Sequence, residues 1–140
     1  MVLVDTNVVA YLLIEGDHTA AAQQLRQHDS DWRSEAFVMV EFTNVLAASV
    51  AAKRMSLTLA QRFLLDAHSL FDGKLARLPH GPILATAAQY RVSAYDARFL
   101  TLAQHVGLRL VTEDAKLRLA APALTQSLAE AVAAATIRQQ

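Results

Sequence analysis

Val2-Leu3-Val4-Asp5-Thr6-Asn7, near the amino terminus, is an aliphatic, partly β-branched run that stops at three polar residues. A continuous apolar run of this kind suits a buried strand, and the polar residues suit the turn or helix cap that ends it. The first strand is therefore expected to deliver Asp5 at its carboxyl end.

Outward from that strand, a helix is expected through Tyr11 and Leu13 until Gly16-Asp17. His18 to His28 reads as a second, alanine-rich helix with Ala21, Ala22 and Leu25 inward. Asp29-Ser30-Asp31 is a polar break, and Trp32 to Ala36 suits a brief second strand. Phe37 to Lys53 carries so many apolar residues that a largely buried helix is expected, interrupted at Met55-Ser56. Ser56 or Thr58 can cap the next helix, in which Leu59, Phe63, Leu64 and Ala67 recur at helical spacing toward Phe71. After Asp72-Gly73 a weak strand covers Lys74 to Leu78, and Pro79 and Pro82 bracket the start of a helix running to Tyr90. Ser93 is a cap for Ala94 to His105, an amphipathic stretch with Phe99, Leu100, Leu102 and Ala103 apolar, closed by Gly107. Leu108 to Val111 reads as a strand, Lys116 to Leu119 as a short turn or helix, and Thr125 to Ile137 as a last alanine-rich helix. Strands separated by helices imply an α/β fold, a parallel sheet with helices on both faces. No repeat or linker divides the chain, so residues 1–140 read as one domain.

A length of 140 residues and a hydrophobic share of 54% permit one sizeable core. The 13 basic and 13 acidic side chains cancel, which excludes a large overall field as the means of attracting a partner. A nucleic acid would have to be met by local basic groups. Cysteine is absent, excluding disulfides, thiolate metal sites and thiol nucleophiles, and in keeping with a reducing cytoplasm. No basic segment precedes an apolar stretch at the start, so no signal peptide is expected. The most apolar stretches, Leu78 to Tyr90 and Leu119 to Ala129, fall short of the ~20 residues a membrane span needs. A soluble, cytoplasmic protein with no membrane partner is expected.

Most carboxylates lie where water is expected, as with Glu15 and Asp17 beside Gly16, Asp29 and Asp31 in a polar break, and Asp72 before Gly73. Asp5, Glu41 and Asp114 instead interrupt or end the most apolar runs of the chain. Burying an ionised carboxylate without a partner costs several kcal/mol, whereas a divalent cation offsets that cost and itself needs oxygen ligands. In an open parallel sheet, functional groups collect outside the carboxyl ends of the strands, where Asp5 and Asp114 would project. Glu41 sits early in its helix with Asn44 on the same face, and Asp96 lies in the first turn of its helix, where negative charge is favoured. Such a quartet suits phosphodiester hydrolysis on one or two Mg²⁺ or Mn²⁺ ions, with Thr6, Asn7 and Thr112 orienting ligands or water. Each acid also has an ordinary reading: a helix cap for Asp5, a buried ion pair with an arginine for Glu41, a helix-charging residue for Asp96, a turn residue for Asp114.

These elements together resemble the PIN-domain family, and more narrowly the VapC toxins of toxin-antitoxin systems. The likeness covers essentially the whole chain and rests on Val4-Asp5-Thr6-Asn7, Val40-Glu41-Phe42, Ser93-Ala94-Tyr95-Asp96-Ala97 and Val111-Thr112-Glu113-Asp114. The resemblance implies a three-layer α/β/α sandwich with a central parallel sheet of about five strands. It also implies a Mg²⁺ or Mn²⁺ site, endoribonuclease activity on RNA, a homodimer, and a small antitoxin protein whose tail enters the site. Asp5, Glu41, Asp96 and Asp114 would be the acidic quartet, supported by Asn7 and Thr112, with Glu113 an extra carboxylate beside Asp114.

Arg98, Lys116 and Arg118 lie close in sequence to Asp96 or Asp114 and are candidates for RNA or antitoxin contacts, or simply exposed helix charge. His18, His28, His68, His80 and His105 lack paired ligand spacing and are assigned to neither metal nor catalysis. Trp32 and the tyrosines read as core or interface residues rather than base-stacking platforms. The runs Ala47-Ala48 and Ala51-Ala52 permit close helix packing, within the chain or across a dimer. A PIN-like module that binds RNA or protein without cutting, and a metal-dependent phosphatase, are the competing functions. The phosphatase reading lacks a second aspartate two residues after Asp5.

Overall fold

Five short strands form one sheet in a computed structural model that describes residues 1–138; residues 139–140 of the expected domain lie outside them. The strands are β1 (Val2–Val4), β2 (Trp32–Glu35), β3 (Leu75–Ala76), β4 (Leu110–Val111) and β5 (Thr125–Gln126). They pair in the order β3-β2-β1-β4-β5 and every pairing is parallel. The helices are α1 (Thr6–Leu13), α2 (Thr19–His28), α3 (Phe37–Ala51), α4 (Leu57–Leu70), α5 (His80–Tyr90), α6 (Ala94–Val106), α7 (Ala115–Ala120) and α8 (Leu128–Arg138). They flank the sheet in an α/β/α sandwich.

β1 is buried along its whole length, as its unbroken aliphatic sequence requires, because it occupies the centre of the sheet. The chain builds outward from it to β2 and β3 on one side, then returns to place β4 against its other side. The order therefore reverses at the β1/β4 boundary, the position where open parallel sheets form a crevice at their carboxyl ends. Register brings Val4 level with Val111, so Asp5 and Thr112 leave the sheet side by side. On the other flank the Ser34 hydroxyl donates to the Val4 carbonyl (2.7 Å), fixing the end of β1.

Local signals act as expected at most boundaries. Ser56 accepts from Leu59 N–H (3.1 Å) and Ser93 from Asp96 N–H (3.0 Å), each satisfying a free donor in a first helical turn. Gly107 ends α6 at φ 77°, a left-handed conformation that costs glycine little.

Three expectations need correction. The span from Thr125 is not helical from its start, because Thr125 and Gln126 pair with Leu110 and Val111 as β5 before α8 begins at Leu128. The helix from Phe37 is not largely buried. Only Val38, Phe42 and Leu46 face the core, at intervals of four residues, while Val40, Thr43, Asn44, Ala47, Ala48 and Ala51 are exposed. Leu59 is exposed too, and α4 packs instead through Ala60, Ala67 and Leu70. Among the described residues no helix is long and apolar enough to cross a membrane.

Candidate active site

Asp5, Glu41, Asp96 and Asp114 line one cleft of about 650 Å³ together with Thr6, Asn7 and Asn44. Asp5 follows β1 directly, Asp114 follows β4 at the head of α7, Glu41 lies on α3 and Asp96 in the first turn of α6. The two-sided nature of α3 explains the position of Glu41. Residues 38, 42 and 46 point into the core, and the neighbouring stripe of Phe37, Glu41, Asn44 and Val45 lines the cleft. Val40, Tyr95, Phe99 and Leu117 complete the wall.

Asp5 and Asp114 also fill the ordinary roles open to them. Asp5 caps α1 by accepting from Val8 N–H (3.2 Å), and Asp114 caps α7 by accepting from the N–H groups of Lys116 (3.0 Å) and Leu117 (3.1 Å). Neither cap excludes a second role, since a carboxylate has about four acceptor positions. Thr6 donates to Glu41 (2.7 Å). The buried Thr112 hydroxyl accepts from Asp114 N–H (3.1 Å) and supports Asp5. Asn7 is exposed within the cleft.

Burial pushes the Asp5 carboxyl from its ordinary 3.8 to about 6, against the pull of hydrogen bonds from Thr112 and Val8; repulsion from Glu41 and Asp114 adds to the rise. Glu41 is raised by burial, then by Asp96 and Glu35, with Thr6 opposing; Asp96 is raised by burial, then by Asp114. The repulsions run from Asp5 to Glu41, to Asp96, to Asp114 and back to Asp5, so the four share one electrostatic neighbourhood. The Tyr11 phenol is raised as well, mainly by burial and then by Asp5 and Glu113.

Glu35 was not distinguished by its sequence context, yet it is fully buried at the end of β2. Its Oε2 accepts from Phe37 N–H (2.7 Å), and its Oε1 meets Arg98 Nη1 (3.3 Å). The arginine pairing considered for Glu41 thus belongs to Glu35. Its one sequence signal was position, a strand end like that of Asp5, in a run too polar to mark it. Arg98 is committed to Glu35 and lies over the Phe37 ring (4.9 Å), so as an RNA or antitoxin contact its guanidinium is already engaged. Arg118 donates to the Thr112 carbonyl (2.9 Å) and lies near Glu113 (3.9 Å). Glu113 itself accepts from Leu128 N–H (2.7 Å) at the start of α8 and does not line the cleft, whereas Asp114 does. Lys116 is exposed.

Among the described residues no three acidic, cysteine or histidine side chains are grouped closely enough to hold a metal ion as they stand. The donor chemistry nonetheless fits a hard dication. Four carboxylates face the cleft with amide and hydroxyl oxygens between them, no histidine lines it, and the chain has no cysteine. Asp5 also sets a pH dependence in the metal-free protein. Below about pH 4 it is neutral in folded and unfolded chains alike. Between about pH 4 and 6 the unfolded chain gives up this proton while the folded chain keeps it, so stability falls across that window, by about 3 kcal/mol from this residue, and levels off above it. Asp5→Asn keeps the cap and removes the charge. Denaturant melts in EDTA should show the variant more stable than wild type near neutral pH and level with it near pH 4; an Asn variant less stable at both would contradict this origin.

Comparison with curated proteins gave no match. A solved structure, "Crystal Structure of PAE2754 from Pyrobaculum aerophilum", superposes with a TM-score of 0.75 at 20% identity, covering 96% of this chain and 94% of that one. At that identity the likeness concerns the fold. Residues 2–121 match the family described as PIN domain. The chain therefore belongs to the PIN domain family, whose members are typically metal-dependent nucleases.

Proposed function

We propose that this chain is an endoribonuclease that hydrolyses RNA phosphodiester bonds with Mg²⁺ or Mn²⁺, as the toxin of a toxin-antitoxin pair. The observation that carries the reading is the approach of Asp5, Glu41, Asp96 and Asp114 to one cleft, with Asp5 too buried to hold its charge comfortably. These four would hold the metal. When bound, it activates a water molecule and stabilises charge on the phosphate being displaced. The chain's own contribution is orientation: Thr6 aims Glu41, Thr112 and the α1 amide aim Asp5, and the α7 amides aim Asp114. Asn7 and Asn44 offer neutral donors that can meet a phosphate or ribose without adding charge.

An antitoxin tail entering the cleft would meet the same carboxylates, and Lys116, exposed two residues from Asp114, is a cation suited to its own acidic groups. The exposed small and apolar residues Val40, Ala47, Ala48 and Ala51 on α3 support a homodimer through this helix. Ala48→Glu should convert a dimer to a monomer in analytical ultracentrifugation; a wild type that sediments as a monomer at high concentration would remove the proposal.

RNA cleavage should appear with Mg²⁺ or Mn²⁺ and stop with EDTA. Asp5→Asn and Asp96→Asn should each lower kcat about a hundredfold or more, and Thr112→Val about tenfold or more, by loosening Asp5. Binding of RNA without metal-dependent turnover, in wild type and variants alike, would instead favour a non-cutting module.

A further inference from the structure

We infer that the exposed ring of Tyr95, backed by Phe37, is a stacking surface for an RNA base next to the phosphate that is cut. The inference rests on the nuclease reading and extends it to how the substrate is held. Tyr95 and Phe37 lie nearly parallel, with ring centroids 5.3 Å apart and planes inclined by 9°. Both line the acidic cleft, and Tyr95 immediately precedes Asp96 on α6. Yet Tyr95 is 61% exposed, so its packing on Phe37 leaves much of the side chain open to solvent.

The pair is held from beneath. Fully buried Glu35 grips Phe37 through its backbone N–H (2.7 Å) and pairs with Arg98 (3.3 Å), whose guanidinium lies over the Phe37 ring (4.9 Å). One carboxylate therefore fixes both the ring that supports Tyr95 and the cation that covers it. A surface fixed in this way loses little freedom when a ligand stacks on it. Every nucleobase presents a π-face, so stacking can hold a substrate whatever its sequence. With the overall charge balanced and Arg98 and Arg118 engaged, stacking adds to what few basic groups near the cleft can contribute. Simple helix packing explains Phe37, which is partly buried, but not an open tyrosine facing the site.

The test uses a single-stranded RNA that the wild-type chain is shown to cut, so that absence of any cleavage defeats the nuclease reading and this inference with it. Binding of the same RNA, kept uncut by EDTA, is measured for wild type, Tyr95→Ala and Tyr95→Phe, with intact bases and with single abasic substitutions. Tyr95→Ala should weaken binding and raise KM roughly tenfold, and Tyr95→Phe should keep near-native values. One abasic position beside the cut should cost wild type a similar factor and cost Tyr95→Ala almost nothing more. Cleavage with unchanged affinity in Tyr95→Ala would overturn the stacking role while leaving the nuclease reading intact, as would losses that simply add. Should Tyr95→Ala not fold, abasic scanning of the wild type decides: no sensitive position beside the cut means no platform. A Tyr95→Ala variant that loses self-association but not RNA affinity would assign the ring to a protein interface and overturn the inference.

Discussion

Burying a carboxylate at the end of a central strand is costly, and the organisation of the cleft follows from how that cost is met. Two buried acids in this chain end strands, and they are treated differently. Glu35 has an arginine and a backbone N–H, and with them its negative charge is compensated inside the protein. Asp5 has a hydroxyl and one N–H, and its charged neighbours Glu41 and Asp114 are also negative. The fold thus supplies a counter-charge where burial serves packing and omits one where the group faces the cleft. On the proposed reading, a dication held by the cleft would supply the missing counter-charge.

Topology makes the arrangement possible. Because β1 and β4 are neighbours across the point where strand order reverses, residues more than a hundred positions apart in sequence, Asp5 and Asp114, emerge beside one another. The helices that follow β2 and precede β4 bring the other two acids. The buried ion pair of Glu35 and Arg98 joins the end of β2 to α6, and Glu35 also holds the first N–H of α3, so Glu41 and Asp96 belong to helices tied to one anchor. Acidic quartet and aromatic pair are in this sense supported by the same buried carboxylate.

Much of this was legible in the residues. Val2 to Val4 could hardly be anything but a buried strand, Ser56 and Ser93 announced their helices, and the interruption of apolar runs by Asp5, Glu41 and Asp114 marked them as unusual. What escaped had physical reasons. Thr125 and Gln126 are polar and only two residues long, so their pairing with β4 is decided by the neighbouring strand rather than by any local pattern. In α3, apolarity all round suggested burial all round, whereas the core takes one stripe and the cleft the next, leaving an alanine face open. Glu35 was hidden because its strand is too polar to look buried, and its partner Arg98 lies 63 residues away. Tyr95 was read as a core or interface residue, and its exposure beside Asp96 removes it from the core.

The central claim is that these carboxylates share a pocket built for a dication, and it is tested most directly by the protons released when that ion binds. A metal cannot bind Asp5 while the carboxyl keeps its proton, and near pH 6 about half the molecules carry one. Titrating Mn²⁺ into the metal-free protein by calorimetry in buffers of different ionisation enthalpy should show proton release at about pH 6 that fades by about pH 8. The release should be clearly smaller in Asp5→Asn. Absence of Mn²⁺ binding, or binding with the same proton count in wild type and Asp5→Asn, would contradict the account.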